Sequence, residues 1–335
     1  MVQLLLSTRW LTGRVAIARL LLIGGLVAAT TGSAAARPQA PVHFEVFADS
    51  GIKLTGVLWS GNAFLYVQNT TNAIFAGDAN GGPLEPFTKL PKMTEETRCV
   101  VAPKGYGFPT GQIYCHVPDN RIFRISPDGK TVSLFASLPT KATSDGMLAF
   151  DTVGRFGHRL VAATGRSGVA AAKGGAVYTI DRAGTVRHVG NYPGPGGADE
   201  LMVAPKSFGS AAGWALLTVD PGPKGGTVVA IDANGRTRTV ASLPTGPNPI
   251  VTVGTAPGST TTPKAGLYVA DTNTHKVYFA AAAALAPYAG AVIVGAELEP
   301  SFWAIRPKGG SFVASKLETD LPAAKYNFES AFYVS

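Results

Sequence analysis

The sequence predicts an all-β fold: a six-bladed β-propeller with four antiparallel strands per blade, its ring closed by an N-terminal strand. Three observations predict it. First, five short apolar segments end in proline, at Pro91, Pro139, Pro193, Pro244 and Pro300, spaced by 48, 54, 51 and 56 residues. A repeat of that period is the signature of stacked β units. Second, each proline is followed by strand-like runs in the same order. Third, 40 Gly and 24 Pro beside 46% hydrophobic residues mean many short strands and turns rather than helix bundles or disorder.

The elements follow in order. An apolar inner run comes after each proline: CVVAP at Cys99, MLAFD at Met147, LMVAP at Leu201, IVTVG at Ile250 and WAIRP at Trp303. A second strand is rich in branched and aromatic residues: FLYVQ at Phe64, IYCHV at Ile113, RLVAAT at Arg159, ALLTVD at Ala215 and GLYVAD at Gly266. Third strands read RIFRI at Arg121, AVYTI at Ala176, TVVAI at Thr227 and KVYFA at Lys276. Most lead into polar turns, SPDGK at Ser126, DRAGT at Asp181 and DANGR at Asp232, whose glycines supply the positive φ of a tight hairpin. The fourth strand runs to the proline. Four such strands repeated radially make a propeller blade.

The chain ends set the count. The last unit is read as FWAIRP, then SFVAS at Ser311, then SAFYVS at Ser330, and lacks a fourth strand. VHFEVFADSG at Val42 looks like an outer strand with no blade before it, and adding it to the last unit closes six blades without exposed edges. The helix-like FAAAAALAPY at Phe279 is read as an insertion within the fifth blade.

Residues 1–36 are read as a signal peptide and 37–335 as the single propeller domain. Arg9, Arg14 and Arg19 precede the apolar LLLIGGLVAA, and SAAA ends at Ala36 with small residues suited to cleavage. That core is too short to span a bilayer comfortably, so a secreted or periplasmic protein is expected. Cleavage would lower the net charge from +8 to +5. No cluster of Lys and Arg with interleaved aromatics appears, which argues against nucleic acid as a partner. A monomer with no stable membrane span is expected. The two cysteines of an exported chain suggest one disulfide, Cys99 to Cys115, between adjacent strands of one blade. Motifs for phosphate cradles, haem attachment, G-x-S-x-G and H-E-x-x-H are absent, so no nucleotide, haem or flavin is expected.

Connections from outer to inner strands, and from second to third, emerge on one face around the central channel. Aligning the inner strands puts Thr55, Thr97, Asp145, Asp199, Asn248 and Ser301 at the channel mouth. The consecutive trio Asp145, Asp199 and Asn248 offers the oxygen ligands that a hard cation such as Ca2+ takes. Glu96, Glu200 and Glu299 lie beside that ring, and second-to-third loops add Asn69, Asn72, Asp119, Asn120, Arg166, Asp220, Asp271, Asn273 and His275. Thr55, Glu96, Arg166, Asp220, Asp271 and Asn273 are ligand-binding candidates; Glu200 and His275 are the candidate proton-transfer groups. The plainer alternative for any one Asp or Asn is a turn cap. His275 and His116 also read as ordinary surface or strand histidines, and Arg166 as a solvated loop residue.

At these residues the chain resembles a known superfamily. GLYVADTNTHKVYFA (Gly266 to Ala280) looks like an NHL-type repeat. GVLWSGNAFLYVQN (Gly56 to Asn69) with SDGMLAFDTVGRF (Ser144 to Phe156) is similar to the gluconolactonase and senescence marker protein family. The resemblance implies a six-bladed propeller and, in the enzymatic branch, a Ca2+ or similar ion that polarises a lactone or ester carbonyl. Thr55 falls where that family carries a glutamate, Asp199-Glu200 on its Asn-Gly and Asn248-Pro249 on its Asp-Gly, while Ser144-Asp145-Gly146 matches the substrate-side Asn-Asp-Gly. One carboxylate is therefore lost, and the acid and amide of two blades are exchanged. Two readings follow: a binding propeller for a small molecule, glycan or protein partner, and a Ca2+-dependent lactonase or esterase.

Overall fold

The computed structural model describes residues 40–91, 96–140, 145–165, 174–194, 197–221, 225–254, 263–323 and 325–335. The expected signal peptide, Arg166 and Ser144 lie outside the described residues.

Twenty-four strands form six four-stranded antiparallel sheets. The strand β1 (Glu45–Asp49) stands apart from the blade that follows it. Blade one is β2 (Leu54–Trp59), β3 (Phe64–Gln68), β4 (Ala73–Gly77) and β5 (Glu85–Lys89). Blade two is β6 (Arg98–Val101), β7 (Ile113–His116), β8 (Arg121–Ile125) and β9 (Val132–Ser137). Blade three is β10 (Met147–Phe150), β11 (Leu160–Thr164), β12 (Gly175–Ile180) and β13 (Val186–Tyr192). Blade four is β14 (Gly197–Val203), β15 (Ala215–Asp220), β16 (Gly226–Ile231) and β17 (Thr237–Leu243).

The last two blades interleave. Blade five starts with β18 (Pro247–Thr252), but its neighbour is not the next strand in the chain. The hairpin β19 (Gly266–Asp271) and β20 (Lys276–Ala281) instead enters blade six. A short helix α1 (Ala282–Leu285) follows β20, and the chain returns to blade five as β21 (Val292–Ala296), β22 (Phe302–Lys308) and β23 (Ser311–Leu317). Blade six is then β24 (Phe328–Val334) inside, β19, β20, and β1 outside.

This corrects the expected strand assignments while keeping the blade count. WAIRP is a third strand and not an inner one, SFVAS is the outer strand of blade five, and SAFYVS is the inner strand of blade six. Pro300 lies in the β21–β22 turn, so only the first four prolines follow an outer strand. The physical reason is that a strand's composition does not name its partner. β21 is buried at every position and fits a second-strand slot covered on both faces. The β19–β20 hairpin finds partners on both edges, Tyr268 opposite Phe332 of β24 and Phe279 opposite Glu45 of β1.

Six hydrophobic clusters hold the ring, each spanning one blade-to-blade interface. Second strands therefore bury both faces, as LVAAT of β11 does at all five positions. The closing interface is aromatic. Tyr268 and Phe332 stack with ring centroids 5.0 Å apart, and Phe64 of blade one lies 4.9 Å from Tyr268. Such pairs add about 0.5–1.5 kcal/mol each beyond area burial. A second clasp precedes β1, where the Val42 amide donates to the Glu318 carbonyl at 2.7 Å and the Phe44 amide to Asp320 Oδ1 at 2.9 Å.

The predicted hairpin glycines also lock blades together. Gly129 has φ +73°, and a Cβ there would stand 2.7 Å from the Phe87 carbonyl of the preceding blade; Gly184 (φ +84°) sits likewise 2.5 Å from the Phe135 carbonyl. Only glycine tolerates both the conformation and the approach. Asn72 and Asn120, also left-handed, hold the outer strand ends: their carbonyls accept the Leu90 and Leu138 amides at 3.0 and 2.9 Å. Their side-chain amides donate to carbonyls just past those strands, Asn72 to Pro91 at 2.8 Å and Asn120 to Thr140 at 3.4 Å, so both asparagines serve the blade edge rather than the amides of their own turn.

Candidate functional site

The inner strands β2, β6, β10, β14, β18 and β24 contact one another in that order around the channel. Most of its charge lies at or near the starts of these strands, with Asp220 at the end of β15 and Glu297 just after β21 adding to it. Arg98, at the start of β6, is 3% exposed and points into a cage of acids. Its Nη1 lies 2.8 Å from Glu96, its Nε 3.2 Å from Glu200 and its Nη2 3.2 Å from Glu329, while Nη1 also donates to the Thr55 carbonyl. Burial opposes the guanidinium charge, but the fields of Glu96, Glu200, Glu329 and Asp145 outweigh it and hold Arg98 ionised. Asn248 Nδ2 donates to Glu329 Oε2 at 3.1 Å, and Asn327 Nδ2 donates to Oε1 at 2.6 Å. This layer closes the channel like a plug.

Beyond the plug lies a vestibule of Glu96, Asp145, Asp199, Asp220 and Glu297, all half-buried. The backbone places them. The Gly146 amide donates to the Glu96 carbonyl at 2.8 Å and the Glu96 amide to Asp145 Oδ1 at 3.1 Å, joining blades two and three. A Cβ at position 146 would fall 1.9 Å from the His116 carbonyl, so this Gly lets the strand bearing Asp145 approach. The Tyr192 hydroxyl donates to the Thr164 carbonyl at 2.8 Å and accepts the Ala198 amide at 3.1 Å, fixing the residue before Asp199.

Among the described residues, seven carboxyl groups at this end face one guanidinium. The crowding shows in their acidities. Burial pushes Asp199 well above the ordinary carboxylate range, and Asp145, Asp220, Glu297 and Glu96 add to it. Burial raises Glu297 to about 8, aided by its hydrogen bond to Asp220. Burial takes Glu200 to about 7 even though Arg98 pulls the other way. Glu329 and Glu96 are raised too, mainly by burial, with Arg98 opposing. Three buried oxygens at this end, Asp199 Oδ2, Asn248 Oδ1 and Asn327 Oδ1, have no hydrogen-bond partner. Among the described residues, no three Asp, Glu, His or Cys side chains converge as a metal-binding group; the acids ring the mouth.

Several expected residues sit elsewhere or have other roles. Thr55 is fully buried and serves Arg98 through its carbonyl. Asp271 is fully buried, with Oδ1 accepting the Asn327 amide at 2.8 Å and the Asn273 amide at 3.0 Å, and Oδ2 accepting the Thr274 hydroxyl at 2.6 Å, so it organises the β19–β20 turn and ties it to the residue before β24. Asn273 is exposed in that turn. His275 is peripheral, its carbonyl accepting the Ser50 amide at 2.9 Å. His116 is buried and its ring is pushed down to about 4 by burial, a neutral core histidine whose Nδ1 accepts the Met147 amide at 3.0 Å. Ser301 is buried in the β21–β22 turn, and Glu299 is exposed beside it. Cys99 and Cys115 are directly opposite and disulfide-bonded, with Cα atoms 4.1 Å apart.

The sequence reading missed Arg98, Glu297 and Glu329. Arg98 follows a predicted mouth residue, and its neighbours Glu96 and Glu200 were the available signal. Glu297 and Glu329 were hidden by the interleaving of blades five and six.

On the far side of the plug is a cavity of about 580 Å³, lined by the remainder of the inner strands from Gly56, Arg98 and Glu200 out to Trp59, Phe150, Thr252 and Val334. None of Glu96, Asp145, Asp199, Asp220, Glu297 or Glu329 lines it.

No family profile and no curated protein matches the chain. Solved structures do. A glucose dehydrogenase is similar with a TM-score of 0.54 at 12% identity, over 82% of this chain and 88% of its own. The likeness is one of fold. A provisionally assigned gluconolactonase aligns at 16% identity over 86% of this chain and 84% of its own, with a TM-score of 0.44. The chemistry of this propeller has to be argued from its own channel.

Proposed function

We propose that this is an exported binding propeller whose acidic channel mouth holds a divalent cation of the Ca2+ kind, with a small molecule, glycan or protein partner docking over it. The observation that carries the reading is Asp199, a half-buried residue whose Oδ2 is buried and unpartnered amid Asp145, Asp220, Glu297 and Glu96. Buried like charges are costly unless a counter-charge neutralises them. Oxygens alone, from carboxylates and amides, are the donors a hard cation takes. Asp145, Asp199 and Asn248 would hold it, with Asp220 and Glu297 adding negative field. A bound ion would supply Lewis-acid polarisation of a ligand carbonyl. The Arg-led apolar N-terminus and the disulfide support export.

A Ca2+ titration followed by thermal unfolding tests this. At about 100 times its Kd the ion adds about 2.7 kcal/mol of stability. The shift disappears in Asp199→Asn and vanishes on chelation. A melting temperature in the native chain that ignores Ca2+ and Mg2+ alike rejects the reading.

One observation favours lactone or ester hydrolysis at the same place. Glu200 at about 7 and Glu297 at about 8 exchange protons near neutral pH, as a general acid or base must. Turnover of a lactone panel that Glu297→Gln abolishes would support it, and a folded, cation-loaded protein without turnover would exclude it.

A further inference from the structure

We infer that the cavity on the opposite side of the plug is a second, independent site, for a neutral and mostly apolar small molecule that carries a hydrogen-bond acceptor. The walls show the chemistry. Val100, Val101, Phe150, Met202, Val251, Phe332 and Tyr333 line it, and each of these apolar or aromatic side chains is only half-buried. Protein interiors ordinarily bury such side chains, and leaving apolar area in water costs about 25 cal/mol per Å². A molecule that covers them recovers that free energy.

Its size and closure define the occupant further. A volume of about 580 Å³ falls within the range of pockets that take drug-sized molecules. Arg98 and its three glutamates stop the channel, so the cavity is a dead end that a polypeptide cannot thread. The charged groups at its inner end, Arg98 and Glu200, are already paired with each other at 3.2 Å. No net charge is presented to a ligand, which favours a neutral one.

A polar handle stands at the outer end. Thr252 lines the cavity, and its hydroxyl donates to the sulfur of Met202, another lining residue, at 3.9 Å. Thioether sulfur is a weak acceptor. A ligand carbonyl or ether oxygen is a better one, and would orient the molecule with that oxygen toward the cavity's rim.

This proposal does not rest on the cation site, and one titration separates the two. Nile red, a neutral apolar dye with a carbonyl, is titrated into the full chain and its fluorescence followed. Saturable enhancement with one site is expected. Val101→Trp and Val251→Trp, which fill the cavity from opposite sides, weaken the dye by about ten-fold or more, that is about 1.4 kcal/mol. Two variants are used so that misfolding of one, seen in its thermal melt, leaves the other. Asp199→Asn, Ca2+ and chelator leave dye affinity unchanged. Equal binding by both folded tryptophan variants, absence of saturable binding, or loss of the dye in Asp199→Asn each overturns the proposal.

Discussion

The two ends of one channel are built from the same six strands yet have opposite chemistry. At the strand starts, acids from five blades crowd around Arg98 or beside it; two or three residues further along, the same strands present valine, leucine and phenylalanine. Because six parallel inner strands keep level around the axis, a residue type repeated at one position becomes a ring. The sequence needs no more than three charged residues from any one blade to make a highly charged mouth. The difference teaches that one set of inner strands can carry an acidic end and an apolar end, divided by a layer in which a buried guanidinium pairs with glutamates.

The largest predicted effect tests that layer. Arg98→Ala leaves Glu96, Glu200 and Glu329 buried without their cation and costs about 3–5 kcal/mol in denaturant unfolding at neutral pH. A loss below about 1 kcal/mol would mean that the plug does not hold the two ends apart.

A smaller effect distinguishes the ends by pH. Glu200 and Glu297 keep protons in the folded chain up to about 7 and about 8, against an ordinary 4.5. The folded state thus binds protons that the unfolded chain releases, so this contribution is full below 4.5 and is lost as pH rises through 7 and 8. His116, lowered to about 4 from 6.5, acts in the opposite sense at lower pH, which sets the useful window at 6.5 and above. Melting temperature is expected to fall between about pH 6.5 and 8.5. Ca2+ or Glu297→Gln flattens the fall. A flat profile for the unliganded chain contradicts the burial ascribed to the mouth.

The smallest concerns the polar handle of the cavity. Thr252→Val removes one hydroxyl, and a hydrogen bond is worth about 0.5–1.5 kcal/mol, so dye affinity drops a few-fold while the Ca2+ shift stays as it was. An unchanged affinity would remove Thr252 from the site and leave an apolar cavity without orientation.

Much of this was legible in the residues. Gly129, Gly184 and Gly235 announce hairpins because few other residues accept their φ, and all three have it. Asp145 and Asp199 follow from counting along the inner strands, since strand periodicity is local. Asp271 shows the plainer role open to any polar residue in a turn, its carboxylate accepting the Asn273 and Asn327 amides, while His275 makes its contact with Ser50 through its backbone carbonyl. Arg98 escaped because an arginine beside glutamates in sequence does not reveal that acids from two other blades also meet it.

The sequence by itself determined the strands, their turns, the six-fold repeat and the closing role of β1, because these depend on alternation, glycine and proline acting over a few residues. Tertiary structure alone decided the rest. Which blade receives the β19–β20 hairpin, and therefore that Glu329 and Asn327 stand at the mouth, was settled by the aromatic closure of Tyr268 with Phe332 and Phe64. So was the division of the channel. Burial of one guanidinium among three glutamates, two of them from other blades, is a long-range electrostatic fact, and no local pattern encodes it.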